Sequence, residues 1–181
     1  MRWRGDNNHW GAIAIAFHWL VAVVVIEQFI LGSWMTELDY FNRWYHEAPD
    51  IHKSIGSLLF IVLFARLAWR LYNHRPVELA THKPWERVLA KWVQYAIYFL
   101  LFAVIISGYL IATADGRGID VFGWFTIPAT LHDLDHQEDI AGAIHAFFAG
   151  TLIGLASLHA AAALKHHFID RDSTLRRMLG L

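Results

Sequence analysis

Twelve histidines are spread over 181 residues, and four of them, His18, His52, His145 and His159, lie within or at the lip of long apolar runs. An imidazole in hydrocarbon is costly, and such groups either carry function or hydrogen-bond between helices. The chain has no cysteine, which excludes disulfides, thiolate zinc, iron–sulfur clusters, cysteine nucleophiles and covalent haem attachment. Any metal must therefore rest on histidine or carboxylate. His145 and His159 stand fourteen residues apart, about 3.9 helical turns, so they share one helix face at two levels roughly 21 Å apart. His52 and His145 each follow the start of a run entered from the same side, which puts them at one depth. His18 falls at the depth of His159. Each pair draws one imidazole from each of two helices, the arrangement that grips a planar macrocycle from both faces. Mononuclear zinc would need three or four protein ligands, and no third converges at either level. A proton relay would need a chain of acids, and only Glu27 lies within a span, on the face opposite His18.

The elements that must hold these groups follow from composition. The chain is 56% hydrophobic, 15% aromatic and only 17% charged, with a mean hydropathy of +0.34. Soluble domains carry about 25% charged residues, so the expected solvent is a bilayer. Four runs, near 11–34, 51–72, 92–114 and 140–168, match the roughly 20 apolar residues a helix needs to cross hydrocarbon. None alternates as a barrel strand would. The expected fold is all-α: one domain over 1–181, a four-transmembrane-helix antiparallel bundle with two haems in its core. Trp10, Trp34, Trp69, Tyr72 and Trp92 sit near the run ends, where amphipathic rings favour the interface. Pro49 is expected just before the second span, with Pro76, Pro84 and Pro128 in loops. The first run is longer than a signal-peptide core and holds a charge and a histidine, so it reads as retained.

Lysine and arginine are asymmetric. Arg2, Arg4, Arg66, Arg70, Arg75, Lys83, Arg87, Lys91, Lys165, Arg171, Arg176 and Arg177 fall on the side of both termini, and only Arg43, Lys53 and Arg117 on the other. By the positive-inside rule both termini are expected to be cytoplasmic. The opposite loops hold ten acids, Glu37, Asp39, Glu47, Asp50, Asp115, Asp120, Asp133, Asp135, Glu138 and Asp139. A net charge of -1 and a pI near 6.9 argue against nucleic acid as a partner. Arg66 lies fourteen residues beyond His52, at the depth of the inner pair, where a guanidinium either binds a haem propionate or snorkels to the interface. Gly56, Gly150 and Gly154 accompany the histidines, and also fit close helix packing. His132 and His136 flank acids in a loop that on a helical turn could hold zinc or copper, though such a run is more often a solvated acidic loop. His9, His46, His74 and His82 read as surface residues.

The motifs Ala-Phe-His18-Trp-Leu, Ile-His52-Lys-Ser-Ile-Gly56, Ala-Arg66-Leu-Ala-Trp-Arg70-Leu and Leu158-His159-Ala-Ala-Ala-Ala-Leu-Lys-His166-His167-Phe cover most of the chain. They resemble the bacterial cytochrome b561 family of small di-haem, quinone-linked membrane proteins. The resemblance implies two non-covalent haem b groups with His18, His52, His145 and His159 as axial ligands. It also implies a cytoplasmic quinone site contacted by His166, the alternative being a basic interfacial cluster with Lys165. At least one such protein resembles a superoxide oxidase, which suggests a superoxide:quinone oxidoreductase passing electrons from a periplasmic donor to ubiquinone. Superoxide is an anion, and ten acids would repel it unless Lys53, with Arg43 and Arg117, forms a local positive funnel. The competing expectation is a haem-bearing membrane anchor whose acidic loops dock a soluble redox protein.

Overall fold

The computed structural model describes residues 3–79 and 81–181, so Arg2 of the basic set lies outside the described residues. In chain order the elements are α1 (Ala12–Met35), α2 (Trp44–Tyr72), α3 (Pro84–Ala112), β1 (Ile119–Val121), β2 (Phe125–Ile127), α4 (Gln137–Phe168) and α5 (Thr174–Met178). The four long helices are each long and apolar enough to cross a membrane. Their apolar side chains are mostly turned outward: Leu20, Ile26, Phe64, Phe99, Phe147 and Leu158 are all about half exposed or more. Contiguous apolar surface of this kind suits lipid rather than water.

Two helices begin well before their apolar runs. Pro84 opens α3, where its missing N–H is no loss, and the Glu86 carboxylate reaches back to accept the Lys83 backbone N–H at 2.9 Å. The start of α2 is supported by the Asn42 side chain, which accepts the Trp44 N–H at 3.0 Å. Pro49 therefore lies inside α2 rather than before it, and removes one intrahelical hydrogen bond near the helix start. Apolar runs mark where a helix meets lipid. They do not mark where it begins.

The fold is mostly helical, with a short hairpin besides the helices. Between α3 and α4 the chain forms an antiparallel hairpin, pairing Ile119 with Ile127, Asp120 with Thr126 and Val121 with Phe125. Phe122 and Gly123 turn it with φ of 52° and 72°. Ile119 and Val121 are buried, and Ser54 of α2 anchors the hairpin by donating to the Asp120 carbonyl at 3.2 Å and accepting the Phe122 N–H at 3.3 Å. The Tyr109 hydroxyl donates to the Pro128 carbonyl and accepts the Thr130 N–H, both at 2.8 Å. Buried Gln137 joins the start of α4 to the carbonyls of Leu110, at 2.9 Å, and Leu131, at 3.0 Å.

The chain divides into two compact units. The first comprises Met1–Ala22, Val62–Tyr98 and Gly154–Leu181. There α5 is tied down by Trp19, whose indole N–H donates to the Met178 carbonyl at 2.8 Å, and by Arg177, which donates to the Val77 carbonyl at 2.9 Å. The second comprises Val23–Ile61 and Phe99–Ile153. It contains Arg43, Lys53, Arg117 and all ten loop acids, every one of those acids exposed, while the remaining described bases belong to the first. The charge asymmetry along the sequence thus follows the same division as the packing.

Tyr109→Phe deletes the hydroxyl that holds the segment after the hairpin, at a cost of about 1 kcal/mol for the hydrogen bonds lost. Limited proteolysis in detergent is expected to cut between residues 118 and 131 several-fold faster. An unchanged cleavage rate would show that the hydroxyl does not hold this segment.

Candidate functional site

In the second unit His52 of α2 faces His145 of α4, with ring centroids 6.2 Å apart and planes inclined at 77°. The His145 Nδ1 lies 2.9 Å from the Val104 carbonyl of α3. A carbonyl only accepts, so Nδ1 carries the hydrogen and the Nε2 lone pair is left available, the tautomer a metal-binding histidine needs. The His52 Nδ1 is buried without a hydrogen-bond partner. Each ring rests against a glycine of a neighbouring helix: a Cβ added at Gly32 would stand 3.1 Å from Cε1 of His52, and one at Gly108 3.1 Å from Cε1 of His145. A larger residue at either place must push its ring aside. The two imidazoles open into an apolar cavity of about 390 Å³, lined among others by Val25, Phe29, Gly56, Phe60, Leu101 and Ile105. That size is typical of a cofactor pocket.

In the first unit His18 of α1 faces His159 of α4, with centroids 6.4 Å apart and planes at 68°. Arg66 of α2 reaches this level. Its Nη2 donates to His18 Nδ1 at 3.1 Å, its Nε to the Tyr98 hydroxyl at 3.1 Å and its Nη1 to the Phe17 carbonyl at 3.4 Å. Arg70 donates to Gln94 Oε1 at 2.5 Å, and both guanidinium groups lie 5.6 Å from the Tyr98 ring centroid. Tyr98 therefore holds two cations through its ring face and one of them through its hydroxyl as well. Nothing in the spacing of the chain singled it out.

Two imidazole nitrogens binding one iron from opposite sides, at about 2 Å each, bring their ring centroids to roughly 6 Å. Both pairs meet that requirement, at 6.2 Å and 6.4 Å. At His145 the hydrogen bonding fits as well. At His18 it does not, because a guanidinium only donates and Nδ1 is thereby an acceptor. Ligation through Nε2 puts the hydrogen on Nδ1, so it requires Arg66 to release this contact.

Other expected residues fall in different settings. Lys53 is ion-paired with Asp50 at 2.7 Å, Arg117 binds Asp115 at 2.6 Å, and the Arg43 guanidinium lies 5.2 Å from the Trp44 ring centroid. The Arg117 hydrogen bonds hold the Asp115 carboxyl below the usual carboxylate range, and the same pairing raises Arg117. Glu27 is exposed, so the buried polar residue of this part of α1 is its neighbour Gln28. A Cβ at Gly56, Gly150 or Gly154 would meet nothing within 4 Å, so close helix packing is not their role. His132 and His136 do not sit on a helical turn: Asp133 and His136 have φ of 58° and 55°. His132 contacts Asp133 at 2.6 Å and His136 lies 3.8 Å from Asp139, and among the described residues they share no three-ligand cluster. His82, expected at the surface, is largely buried, with Nε2 3.0 Å from Asp172. His166 is likewise among acids as well as bases, its Nδ1 2.8 Å from Asp170 and 3.2 Å from Asp172.

The family model for prokaryotic cytochrome b561 matches residues 9–181. The chain belongs to the prokaryotic cytochrome b561 family. It is 49% identical over 180 residues to cytochrome b561 homolog 2 of Escherichia coli (strain K12), a match covering 99% of this chain and 96% of that protein. It is 29% identical over 174 residues to the probable superoxide oxidase CybB of Yersinia pestis, covering 96% and 97%. Cytochrome b561 homolog 1 of E. coli (strain K12) is 23% identical over 175 residues, covering 95% and 97%. Cytochrome b561 proteins bind b-type haem and carry electrons in membranes, and four apolar helices make this member a multi-pass bacterial membrane protein.

For this cytochrome b561, His145→Ala and Gly108→Leu are expected to remove the same component of the reduced-minus-oxidised spectrum, and His159→Ala a different one. Each should lower pyridine-haemochrome haem per protein by about half if every facing pair holds one haem. Full haem content in the Gly108→Leu variant would mean that the glycine does not hold the ring in place.

Proposed function

We propose that the chain, acting as a single domain, moves single electrons across the bacterial inner membrane from a periplasmic donor to ubiquinone at the cytoplasmic side. Two haem b groups are held by His52 with His145 and by His18 with His159. The observation that carries the reading is the pair of facing imidazoles, 6.2 Å and 6.4 Å between centroids, presented by helices otherwise built for lipid. When bound, haem supplies reversible one-electron chemistry between ferric and ferrous iron. Haem held between two imidazoles would offer a substrate no position on its iron, so it would supply electron transfer rather than chemistry at the metal.

The other side chains position and neutralise. Arg66, on leaving His18, would be placed to bind a haem propionate, and Nδ1 of His18 would then carry its hydrogen. His166 presents Nδ1 to Asp170 and Asp172, so Nε2 is the atom that meets a quinone carbonyl and passes a proton to it. The basic residues of the first unit support cytoplasmic termini.

Superoxide as donor is supported by the 29% identity to a protein named a probable superoxide oxidase. Lys53, beside His52, is the residue placed to attract it. A second reading is favoured by charge: ten exposed acids accompany bases of which Lys53 and Arg117 are already ion-paired. On that reading the protein is a membrane anchor for a basic soluble redox partner.

Stopped-flow mixing of superoxide with the purified protein and a ubiquinone analogue separates the two. Superoxide as donor predicts prompt haem reduction and quinol formation. It also predicts a rate that rises several-fold as salt increases from 10 mM to 150 mM, because screening weakens the repulsion of an anion. Absence of haem reduction by superoxide overturns the first reading, and the partner reading then predicts reduction by a basic protein at a rate that falls with salt.

A further inference from the structure

One cluster of ligating side chains in the first unit is used by neither histidine pair. It joins the end of α4 and the segment after it to the residues just before α3. The His82 Nε2 and His166 Nδ1 approach the same oxygen of Asp172, Oδ2, at 3.0 Å and 3.2 Å. The donor atoms of His82, His166 and Asp172 all lie within 4.8 Å of one another. The Asp172 side chain is 3% exposed, His166 14% and His82 18%, so the group is largely removed from water.

Hydrogen bonding accounts for His82, whose Nε2 lies 3.0 Å from Asp172 Oδ2 and 3.1 Å from the Thr174 hydroxyl, but not for His166. The His166 Nδ1 is buried and makes no well-aligned hydrogen bond, although carboxylate oxygens stand 2.8 Å and 3.2 Å away. The other oxygen of Asp172 accepts the Thr174 N–H at 2.8 Å, which orients the carboxylate toward the two imidazoles. Such an outer contact is what positions a metal-binding carboxylate. Local charge is negative: Asp170, Asp172 and Glu86 face a single lysine, Lys165, which bonds Asp170 at 2.6 Å and Glu86 at 3.2 Å. Three carboxylates against one ammonium attract a dication. Two nitrogens and an oxygen suit zinc better than calcium or magnesium, which prefer oxygen alone. In tetrahedral zinc at about 2.0 Å the ligand atoms stand roughly 3.3 Å apart, close to the distances seen here.

We propose that His82, His166 and Asp172 form a zinc-binding site, a water molecule completing the tetrahedron because Asp170 is held by Lys165. The ion staples the start of α3 to the segment that leads into α5. This goes beyond electron transfer and stands without it, since the metal takes Nδ1 of His166 and leaves Nε2 untouched.

The test uses the haem-loaded protein in detergent, stripped with EDTA and titrated with zinc chloride by calorimetry, with the haem spectrum as the measure of folding. The expected result is one zinc ion per chain at micromolar affinity or tighter. Binding should weaken at least tenfold in both Asp172→Asn and His82→Gln and be unchanged in the His132→Ala/His136→Ala double variant, each retaining its haem bands. If Asp172→Asn loses its haem bands, His82→Gln decides alone. Binding no stronger than the detergent blank, equal affinity in His82→Gln, or loss of binding in the His132/His136 variant each overturns the proposal.

Discussion

An imidazole nitrogen placed in hydrocarbon must find a partner, because no water is there to supply one. The surroundings of His145 and His18 follow from that constraint. Val104 satisfies the outer nitrogen of His145, Arg66 that of His18, and the buried Nδ1 of His52 is left with none. Glycines on α1 and α3 admit the rings of His52 and His145, and a cavity of about 390 Å³ opens beside them. The helices are otherwise apolar and turn most of their bulk outward. Membership of the prokaryotic cytochrome b561 family implies b-type haem, and these pairs are the sites we propose for it.

Charge is the second organising term. Bases gather in one compact unit and exposed acids in the other. In the basic unit the guanidinium groups do not simply project outward, since Arg66 and Arg70 are folded against Tyr98 and held by hydrogen bonds. In the acidic unit the few bases are already engaged: Lys53 with Asp50, Arg117 with Asp115, Arg43 over Trp44. A surface of that kind attracts cationic partners and slows the approach of anions, which makes electrostatics the natural probe of what delivers electrons here.

Much of this was legible along the chain. Four spans could be read because crossing hydrocarbon demands length and apolarity, and both are visible locally. That His145 and His159 share a face followed from counting turns, and Arg66 at the level of His18 followed from the same count. The hairpin was missed because three-residue strands carry too little alternation to stand out. The early starts of α2 and α3 were missed because Trp44 to Asp50 and Pro84 to Lys91 extend each helix into polar sequence, where hydropathy falls silent. His82 reads as a surface residue because its partner Asp172 lies ninety positions away.

The sequence by itself determined the solvent, the number of apolar helices, the absence of thiol chemistry and the depths at which histidines can meet, since each of these depends on residue type and spacing along one helix. Tertiary structure decided what touches what. Gly32 and Gly108, not Gly56, Gly150 or Gly154, take the histidine rings. Tyr98 gathers the arginines, and His82 joins His166 and Asp172. Helical periodicity assigns a side chain to a face and a height, but rotation of one helix against another is set by packing. A few tens of degrees of that rotation decide whether a residue meets an imidazole or lipid.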